Sequence, residues 1–376
     1  MQTIICQSFP AWDTPYVKST LELITRMAET NRVIFLDYPY TIKDLIRNEY
    51  APKSALLGKS GGKRIMNTDF GKIEVYNSRP MIPVNWINNP TLFKVVMGIN
   101  AIIQSFTIKR ILKSVDPAQT RLINAFNPVY GYFTAKYWKD MPTTYYSYDN
   151  LEATAWAGKW GKEFEGKFLE KADQVIVSSK GLLDKFQGKH SKIKCVKNGV
   201  NLVNYSKVNA EKTQKKKIGY LGAFDDRIDT HLMEEAANAY PDYTFEILGD
   251  QKIALENLPS NVKFLGARPQ EQLNQIMQEW DVGLIPFVKN EFTKTIYPLK
   301  INEYLAAGKP VISTDFADLE DFKGMVKVCT SHKDFIEGIA KEIRYNNRLK
   351  ISKRIAFARQ NSWETRTAQF LQALAS

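Results

Sequence analysis

The sequence predicts an α/β protein made of two doubly wound domains, each with a parallel sheet covered by helices. Short runs rich in β-branched and aromatic residues alternate with longer helical patterns along all 376 residues, which is typical of parallel sheets with helices on both faces. That length suits two domains of ordinary size. A polar, lysine-rich segment, Asn201–Lys217, lies between the two sets of strands. It shows neither the 3.6-residue repeat of a helix nor the two-residue repeat of a strand.

The first half contains six short β-rich runs, and the two clearest helical patterns lie between them. The predicted strands are Thr3–Gln7, Val33–Asp37, Lys72–Tyr76, Arg121–Ala125, Thr143–Tyr148 and Gln174–Ser178, and the predicted helices are Pro15–Thr30 and Gly161–Ala172. We therefore expect a first Rossmann-like domain over residues 1–205.

The second half repeats the pattern with six further strands and three helices. The predicted strands are Lys217–Leu221, Thr244–Leu248, Val262–Phe264, Val282–Pro286, Val311–Ser313 and Met325–Val328, and the helices are Thr230–Ala239, Glu271–Gln278 and Leu299–Ala307. A second Rossmann-like domain is expected over residues 206–360. The tail 361–376 has the pattern of an amphipathic helix.

Composition limits the function classes only loosely. The chain has a formal net charge of +12, which is compatible with nucleotides, nucleic acid or an acidic membrane surface as partners. Its three cysteines, Cys6, Cys195 and Cys329, lack the spacing of a disulfide framework or a zinc site, and the N-terminus lacks a basic region before its apolar residues. We expect a cytoplasmic protein. The longest apolar stretch, Val95–Phe106, is shorter than the ~20 residues of a membrane span.

The most informative segment is Thr295–Thr314, TIYPLKINEYLAAGKPVIST, where local signals agree. Pro298 suits the first turn of a helix and Gly308 suits the left-handed residue that ends it. The free amides of the first turn can bind a phosphate, and Lys300 adds positive charge there. Glu303 follows Lys300 by three residues and lies on nearly the same face of the helix.

This segment resembles the donor-site motif of the retaining "group 1" glycosyltransferases of the GT-B fold, whose form ends in E-Y-L-A-A-G-K-P-V. Supporting strings occur in the same order at 171–201, 218–224, 245–250, 262–269, 280–287 and 362–363. The resemblance extends from about residue 145 to the C-terminus, whereas the first 145 residues match only in layout. It implies two Rossmann-like domains facing a cleft, a donor site in the second domain, and a C-terminal helix that crosses back to the first domain.

Carried over to this chain, the resemblance implies that Glu303 binds the ribose hydroxyls of a nucleotide sugar, UDP- or GDP-linked. Amides near Tyr297–Leu299, on either side of Pro298, would hold the diphosphate with Arg227, while Gly222 and Gly249 end the matching strand strings and Arg268 would lie near the base. The implied catalytic residues are Arg227, Lys300 and Glu303. No cofactor or metal is implied, because helix amides and cations would stabilise the leaving nucleoside diphosphate.

The sequence departs from the family pattern at three places. Thr295 stands where the family has a first glutamate that contacts the donor sugar, so the identity of the donor is open. Leu232 replaces the family's phosphate-binding lysine, for which Lys300 or Lys294 could substitute. The family's histidine in the first domain has no counterpart here unless His190 folds back toward the core of that domain.

Each site residue also has a purely structural interpretation. Lys300 and Glu303 could be an ordinary surface ion pair, and Arg227 could pair with Asp225 or Asp229. Asp229 is expected to cap the next helix.

Four residues of the first domain are candidate contacts for the acceptor. Trp12 and Asp13 follow the first strand, and Asp149 and Asn150 follow a later one, at the edge where parallel sheets bind ligands. They could equally be turn residues. The glycine-rich stretch Gly58–Arg64 lacks the spacing of a phosphate loop and is expected to be a flexible basic loop.

The function that this pattern favours is transfer of a sugar to a glycan, lipid-linked or other hydroxyl acceptor in polysaccharide or cell-envelope biosynthesis. An epimerase of the same fold and a non-catalytic module that binds anionic ligands are the alternatives. The apolar and basic segment Trp86–Lys113 could rest on the inner membrane surface, or form a helix packed inside the first domain.

Overall fold

The computed structural model describes residues 2–14, 18–138, 141–153, 155–205, 215–253 and 259–375. Its contacts divide the chain into two compact units, which we call unit 1 (Met1–Lys197 with Arg366–Ser376) and unit 2 (Asn198–Thr365). The last helix thus begins in unit 2 and ends in unit 1. The predicted α/β class with two Rossmann-like units is confirmed. Most of the predicted linker, residues 206–214, lies outside the described residues.

Unit 1 contains an eight-stranded sheet in the order β3-β4-β2-β1-β5-β6-β7-β8. Neighbouring strands are parallel except for the antiparallel pair of β3 and β4. The strands are β1 Thr3–Ser8, β2 Arg32–Leu36, β3 Lys63–Thr68, β4 Gly71–Tyr76, β5 Thr120–Ala125, β6 Thr143–Ser147, β7 Gln174–Val177 and β8 Ile193–Cys195. All six predicted strands are present, within one or two residues of their expected ends.

Helices cover this sheet. They are α1 Ser19–Met27, α2 Ile42–Arg47, α3 Lys53–Leu56, α4 Pro90–Leu112, α5 Pro128–Thr134, α6 Gly161–Leu169 and α7 Lys180–Phe186. The predicted helix Pro15–Thr30 is shorter than expected, and its residues 15–17 lie outside the described part of the chain.

The expectation of a flexible basic loop at Gly58–Arg64 is wrong at its end. Lys63 and Arg64 begin β3, which pairs antiparallel with β4 along its whole length. The adjacent Ile65 and Met66 are flanked by two polar residues on each side in this strand, and an edge strand exposed to water gives a weak apolar signal in the sequence.

Unit 2 contains a six-stranded, fully parallel sheet in the order β11-β10-β9-β12-β13-β14. Its strands are β9 Lys217–Leu221, β10 Thr244–Leu248, β11 Val262–Phe264, β12 Val282–Ile285, β13 Val311–Thr314 and β14 Lys327–Cys329. Its helices are α8 Thr230–Ala239, α9 Gln270–Gln278, α10 Leu299–Ala306, α11 His332–Arg344, α12 Arg348–Gln360 and the start of α13 Trp363–Ala375.

Two glycines let large side chains pack directly on the central strands of unit 2. A Cβ on Gly219 in β9 would lie 1.9 Å from the ring of Trp280, and one on Gly283 in β12 would lie 2.8 Å from the ring of Tyr304. Both rings are fully buried. Because Tyr304 belongs to α10, this packing fixes α10 against the middle of the sheet.

Helix α10 ends as the sequence predicts. Gly308 has a φ of +74°, its amide donates to Leu305 O at 3.0 Å, and the Lys309 amide donates to Tyr304 O at 2.8 Å. These two bonds form a Schellman motif, which favours glycine at the left-handed position.

Helix α4 is longer than the apolar stretch that marks it in the sequence. It spans 23 residues, and by length and composition alone it could cross a membrane. Its inner face is nonetheless part of unit 1: Asn100 Nδ2 donates to Ile82 O at 2.9 Å, and Gln104 Oε1 accepts from Gln7 at 3.1 Å. Both polar side chains are fully buried. Hydrogen bonds of this kind are expected for a helix in a protein core.

Candidate functional site

The strand order of unit 2 creates a switch point between β9 and β12. The chain passes outward from β9 through β10 to β11 and then returns to β12, on the other side of β9. Loops at the carboxyl ends of two such strands diverge, and parallel sheets bind their ligands in the resulting crevice. The loop after β9, the loop after β12 and the start of α10 all lie at this end of the sheet.

The loop after β9 turns sharply at Gly222. Its φ of +145° favours glycine, and its amide donates to Leu248 O at 3.0 Å. Gly249, after β10, packs so closely that a Cβ there would lie 2.0 Å from the carbonyl oxygen of Gly222. The two predicted glycines are therefore in contact, and both keep the backbone open to close approach.

Arg227 lies further along the same loop and forms a bidentate pair with Asp225. Its Nε and Nη2 donate to the two carboxylate oxygens at 2.8 and 2.6 Å, and the guanidinium lies 5.6 Å from the ring centre of Phe287. Burial acts to raise the pKa of Asp225, but the hydrogen bonds and charge of Arg227 outweigh it and hold that pKa below its ordinary value. The alternative pairing with Asp225 is thus the one observed.

The loops after β9 and β12 are joined by backbone hydrogen bonds. The Asp229 amide donates to Pro286 O and the Val288 amide donates to Arg227 O, both at 2.8 Å. Asp229 also caps α8, as expected, because its Oδ1 accepts from the Leu232 amide at 2.9 Å. The cap and the two bonds give the Arg227 segment a defined path at the switch point.

The first turn of α10 has no side-chain cap among the described residues. Pro298 is the N-cap itself, one position earlier than the first-turn position that the sequence suggested. The amides of Leu299 and Lys300 have no acceptor within the helix, as in every first turn. Tyr297, just before the cap, is buried against Phe322 with ring centres 5.5 Å apart. Because its amides lack acceptors in the helix, the first turn of α10 can bind an anion.

Lys300 and Glu303 form an ion pair on this turn, with Nζ 2.9 Å from Oε2. The carboxylate is largely buried, its side chain 11% exposed, whereas that of Lys300 is 34% exposed. The contact is not a well-directed hydrogen bond, so the buried Oε2 retains capacity to accept one. A surface pair would not bury its carboxylate in this way.

Tyr205 is a neighbour of Glu303 that the sequence analysis missed. Burial, followed by the negative charge of Glu303, raises the pKa of Tyr205 well above its ordinary value. The ring is 5% exposed. This residue lies at the start of unit 2, far from Glu303 along the chain, and no local motif marks it.

Helix α10 is fixed to the end of β9 through Tyr304. Its hydroxyl accepts from the Leu221 amide at 2.7 Å and donates to Leu284 O at 3.3 Å. Since Leu221 immediately precedes Gly222, these bonds bring the Glu303 turn and the glycine turn to the same end of the sheet.

The other residues of unit 2 that the sequence singled out lie outside the first turn of α10. Thr295 is buried, and its hydroxyl donates to Phe292 O at 2.6 Å within the loop before α10. Arg268 follows β11, two strands from β9, and its guanidinium donates to Ala267 O at 3.2 Å. Lys294 pairs with Glu291, and Leu232 is fully buried in α8. Of the two candidate lysines, Lys300 is the one in the α10 turn.

In unit 1, Trp12 and Asp13 join a polar cluster with residues that the sequence did not single out. The Trp12 amide donates to Asp37 Oδ1 at 2.8 Å, and Arg64 Nη2 lies 2.7 Å from Asp13 and 3.3 Å from Asp37. Burial raises the pKa of Asp37 to about 6 against the lowering effect of its hydrogen bonds and of Arg64. This cluster occupies the carboxyl ends of β1 and β2, and Arg64 comes from the edge strand.

Asp149 and Asn150 lie at the carboxyl end of β6, apart from that cluster. Asp149 Oδ1 accepts from the Asn150 amide at 2.8 Å, and Asn150 Oδ1 accepts from Lys185 Nζ at 2.9 Å. His190 lies before β8, at the opposite edge of the sheet, where its Nε2 is 3.0 Å from Ala172 O. The His190 side chain therefore does not fold back toward the carboxyl ends of the strands.

Residues 215–345 match the family model described as "Glycosyl transferases group 1". This segment contains all six strands described in unit 2, the Gly222 turn, Arg227 and the Lys300–Glu303 pair. Unit 2 is therefore a group 1 glycosyltransferase domain, and the resemblance seen in the sequence is confirmed.

A curated relative and several solved structures are similar to the chain. TuaH of Bacillus subtilis (strain 168), named as a teichuronic acid biosynthesis glycosyltransferase, is 28% identical over 175 residues, which cover 41% of this chain and 43% of that protein. The matched segment thus spans less than half of TuaH.

Anabaena HepE in complex with UDP has a TM-score of 0.65 at 16% identity, with both chains covered in full. The HepE complex with UDP-glucose has a TM-score of 0.63 at 15% identity. TarM has a TM-score of 0.66 at 12% identity, covering 100% of this chain and 99% of that one. The predicted GT-B fold is thereby confirmed.

Proposed function

We propose that this chain, whose unit 2 is a group 1 glycosyltransferase domain, transfers a sugar from a nucleoside diphosphate sugar to a hydroxyl acceptor in the synthesis of a cell-envelope polysaccharide. Support for the donor class comes from the helix and glycine turns of unit 2 and from HepE, which binds UDP and UDP-glucose in its structures. Support for the biosynthetic role comes from the similarity to TuaH, which is named as a glycosyltransferase of teichuronic acid biosynthesis.

The observation that carries this proposal is the buried carboxylate of Glu303 beside an open helix start. Two hydroxyls of a ribose can donate to one carboxylate, and the first-turn amides and Lys300 of the same helix present positive charge one turn away. A nucleoside diphosphate has both features, a diol and a negatively charged diphosphate. We assign Glu303 to the ribose, and the backbone amides of Leu299 and Lys300 to the diphosphate.

The reaction then requires stabilisation of the departing diphosphate while the anomeric carbon becomes oxocarbenium-like. The bond from the anomeric carbon to the phosphate oxygen breaks as the acceptor oxygen attacks the same face of the sugar, which retains the configuration. The acceptor proton passes to the leaving phosphate oxygen, so no protein base is needed. Lys300 and Arg227 would stabilise the growing negative charge without a metal ion.

Arg227 can take this role only if it exchanges one partner for another. It is bound to Asp225 in a fork, and two oxygens of one phosphate group can accept from the same fork. The same loop contains the Gly222 turn, and glycine has no side chain that would obstruct the phosphates. We propose that Arg227 turns from Asp225 to the diphosphate when the donor binds.

Unit 1 would hold the acceptor at the carboxyl ends of its strands. Trp12 and Asp13 after β1, and Asp149 and Asn150 after β6, are the proposed contacts. The buried Asp37 fixes the Trp12 backbone, and Arg64 orients the Asp13 carboxylate. A hydroxyl-rich acceptor suits such carboxylate, amide and indole groups.

We further propose that α4 rests on the inner membrane surface and presents unit 1 to a lipid-linked acceptor. Its outer face carries an uninterrupted apolar stripe, which we call the α4 stripe, with side chains 42–66% exposed: Leu92, Val95, Ile99, Ile102 and Phe106. The spacing of three and four residues places them on one side of the helix. Exposed Trp86 lies just before the helix.

Two basic residues of the segment Gly58–Arg64 are paired within unit 1. Lys63 pairs with Glu74 at 2.7 Å, and Arg64 pairs with Asp13 and Asp37, so both are neutralised within unit 1. Lys109, Arg110 and Lys113 at the end of α4 remain, at about 1 kcal/mol each toward anionic lipid. A pocket of about 350 Å³ beside Phe106 adds Arg79 and Arg110 as possible partners of a phosphate headgroup.

The experiment that tests the function is a panel of UDP- and GDP-linked sugars, each incubated with the purified chain and assayed for free nucleoside diphosphate. We expect slow release of nucleoside diphosphate from one donor, accelerated by a lipid-linked or glycan acceptor. Proton NMR of the product should show the donor's anomeric configuration retained.

Two results would contradict the proposal. Conversion of the donor to its epimer, without release of nucleoside diphosphate, would identify an epimerase instead. Stabilisation of the protein by oligonucleotides, with no response to any nucleotide sugar, would identify a module that binds nucleic acid.

A further inference from the structure

A cluster of histidines and carboxylates joins α8 to α11 in unit 2, and it follows the Arg227 loop along the chain. His231 and Glu235 lie four residues apart on α8, and His332 begins α11. One ligand atom from each of the three residues lies within 4.8 Å of the other two. The chain has only three histidines, and two of them are in this cluster.

His332 is held between two carboxylates. Its Nε2 is 3.0 Å from Asp229 Oδ2, and its Nδ1 is 2.6 Å from Glu235 Oε2. If the ring proton is on Nε2 and donates to Asp229, the Nδ1 lone pair faces a carboxylate oxygen at 2.6 Å. That contact is satisfied by a second proton on the ring, or by a metal ion that both atoms bind after they move apart to about 3.3 Å.

The position of His231 favours the metal ion. A proton on His332 would satisfy Glu235 Oε2 by itself, yet His231 Nε2 also approaches the same carboxylate, 3.4 Å from Oε1. Its ring lies 5.7 Å from that of His332. Two neutral imidazole nitrogens and one carboxylate form the ligand set of many zinc sites.

The remaining contacts match the outer shell of such a site. A histidine that binds zinc commonly donates its other ring N–H to a carboxylate, which fixes the ring and raises its basicity. Asp229 stands in that position toward His332, and Asp229 is itself fixed as the cap of α8 through the Leu232 amide. Zinc bonds of about 2.0–2.2 Å to all three residues require rotation of the exposed His231 ring and a small separation of His332 Nδ1 from Glu235 Oε2.

We propose that His231, Glu235 and His332 bind one zinc ion, with a water molecule in the fourth position and Asp229 orienting His332. The ion joins α8 to α11, which also meet where Tyr240 Oη donates to Ile336 O at 2.5 Å. The reacting sugar is not involved. The site therefore stabilises unit 2 and does not take part in transfer.

Zinc binding is measured on the full, untagged chain after treatment with EDTA and removal of the chelator. Calorimetric titration with zinc chloride should give one ion per chain, and cobalt(II) should give the visible absorption of a tetrahedral site. His231→Gln and His332→Gln should each weaken zinc binding by at least about tenfold. His190→Gln is the matched control, because His190 contacts only backbone atoms among the described residues of unit 1, and it should bind zinc like the unaltered chain.

His332→Gln also removes the contacts to Asp229 and Glu235 and could unfold unit 2, so His231→Gln is the decisive variant. Its side chain is 72% exposed, and its loss leaves His332 in place. The proposal is overturned if the unaltered chain takes up no zinc, or if His231→Gln binds zinc as tightly as His190→Gln. Such a result would leave a protonated His332 between two carboxylates as the explanation. Neither measurement uses glycosyl transfer, so the proposed function is tested separately.

Discussion

At the scale of single residues, the site consists of charged groups that are paired with each other within unit 2. Asp225 offers Arg227 a planar pair of oxygens, and Lys300 offers Glu303 a cation. Each pair can be replaced by contacts to a nucleoside diphosphate with little loss of hydrogen bonding. Such exchangeable pairs keep the charges satisfied before the donor binds, which avoids the cost of an unpaired buried charge.

Arg227→Ala separates the two roles of this arginine. If it binds the diphosphate, the variant should bind UDP about 10- to 100-fold more weakly, the equivalent of one or two charge-assisted hydrogen bonds, while its affinity for uridine is unchanged. Calorimetry with both ligands measures this difference. The control is Lys323→Ala, which removes an exposed cation paired only with Glu320 among the described contacts.

An Arg227→Ala variant with unchanged affinity for UDP and a lower melting temperature would give the opposite answer. Arg227 would then be a structural partner of Asp225, and the diphosphate would depend on Lys300 and the helix amides.

At the scale of elements, α10 is placed by packing rather than by its own sequence. Gly283 admits the ring of Tyr304, and the Tyr304 hydroxyl bonds to the last residue of β9. Gly219 similarly admits Trp280, whose indole N–H donates to Glu246 at 2.8 Å. Rigid attachment of α10 to the sheet positions its first turn, as a binding site requires.

Gly219→Ala tests how tight this packing is. The new Cβ would overlap the Trp280 ring, so we expect a loss of about 1–3 kcal/mol in the free energy of unfolding of unit 2. Gly338→Ala in α11 is the matched control, because its Cβ would meet other atoms only at 3.6 Å or more. Removing a helical glycine there should be neutral or stabilising by up to ~1 kcal/mol. Urea unfolding measures both, and equal stability of the two variants would show that β9 accommodates the methyl group.

The α4 stripe makes a second prediction at this scale. The double variant Ile102→Glu with Phe106→Glu should reduce sedimentation with anionic liposomes at low salt by at least about tenfold in affinity, because two apolar anchors are lost. Both side chains are more than half exposed, so the fold should persist. High salt should weaken binding of the unaltered chain as well.

Val203→Glu is the control for this measurement, since Val203 is 79% exposed in unit 2, outside the stripe. If the unaltered chain stays in the supernatant at low salt, or if the double variant sediments equally well, α4 is simply a core helix of unit 1 with a solvated outer face.

At the scale of the whole molecule, the sequence predicted the architecture better than the site. The central strands of both sheets are buried on both faces and appear as continuous apolar runs, which is why β9 and β10 begin and end at the predicted residues. The edge strands β3 and β8 were missed, because one is partly polar and the other has three residues. The local motif placed Lys300 and Glu303 on one face, as the structure shows.

Contacts between residues distant in sequence could not be predicted in this way. Tyr205 lies beside Glu303, Arg64 pairs with Asp37, and His332 meets Glu235, yet none of these pairs has a local periodicity or motif. Each depends on the crossing of separate elements, which only the fold defines. The role of Asp225 as the partner of Arg227 was among the sequence alternatives because the two are neighbours in one loop.

The whole chain should transfer sugar without a metal ion. Added EDTA is expected to leave the rate of transfer unchanged at a saturating donor concentration, because helix amides and cations stabilise the diphosphate. The same treatment should lower the melting temperature if the zinc site of unit 2 is occupied. Loss of transfer upon EDTA treatment, with recovery upon addition of manganese, would contradict the metal-free mechanism.

The central claim is that the start of α10 binds the nucleoside diphosphate through Glu303. Calorimetric titration of the unaltered chain and of Glu303→Ala with UDP and GDP tests it most directly, with Glu320→Ala as an exposed control. We predict that Glu303→Ala keeps its circular dichroism spectrum but binds the preferred nucleotide about 10- to 100-fold more weakly, since the ribose loses a charge-assisted acceptor. An affinity equal to that of Glu320→Ala would contradict the account.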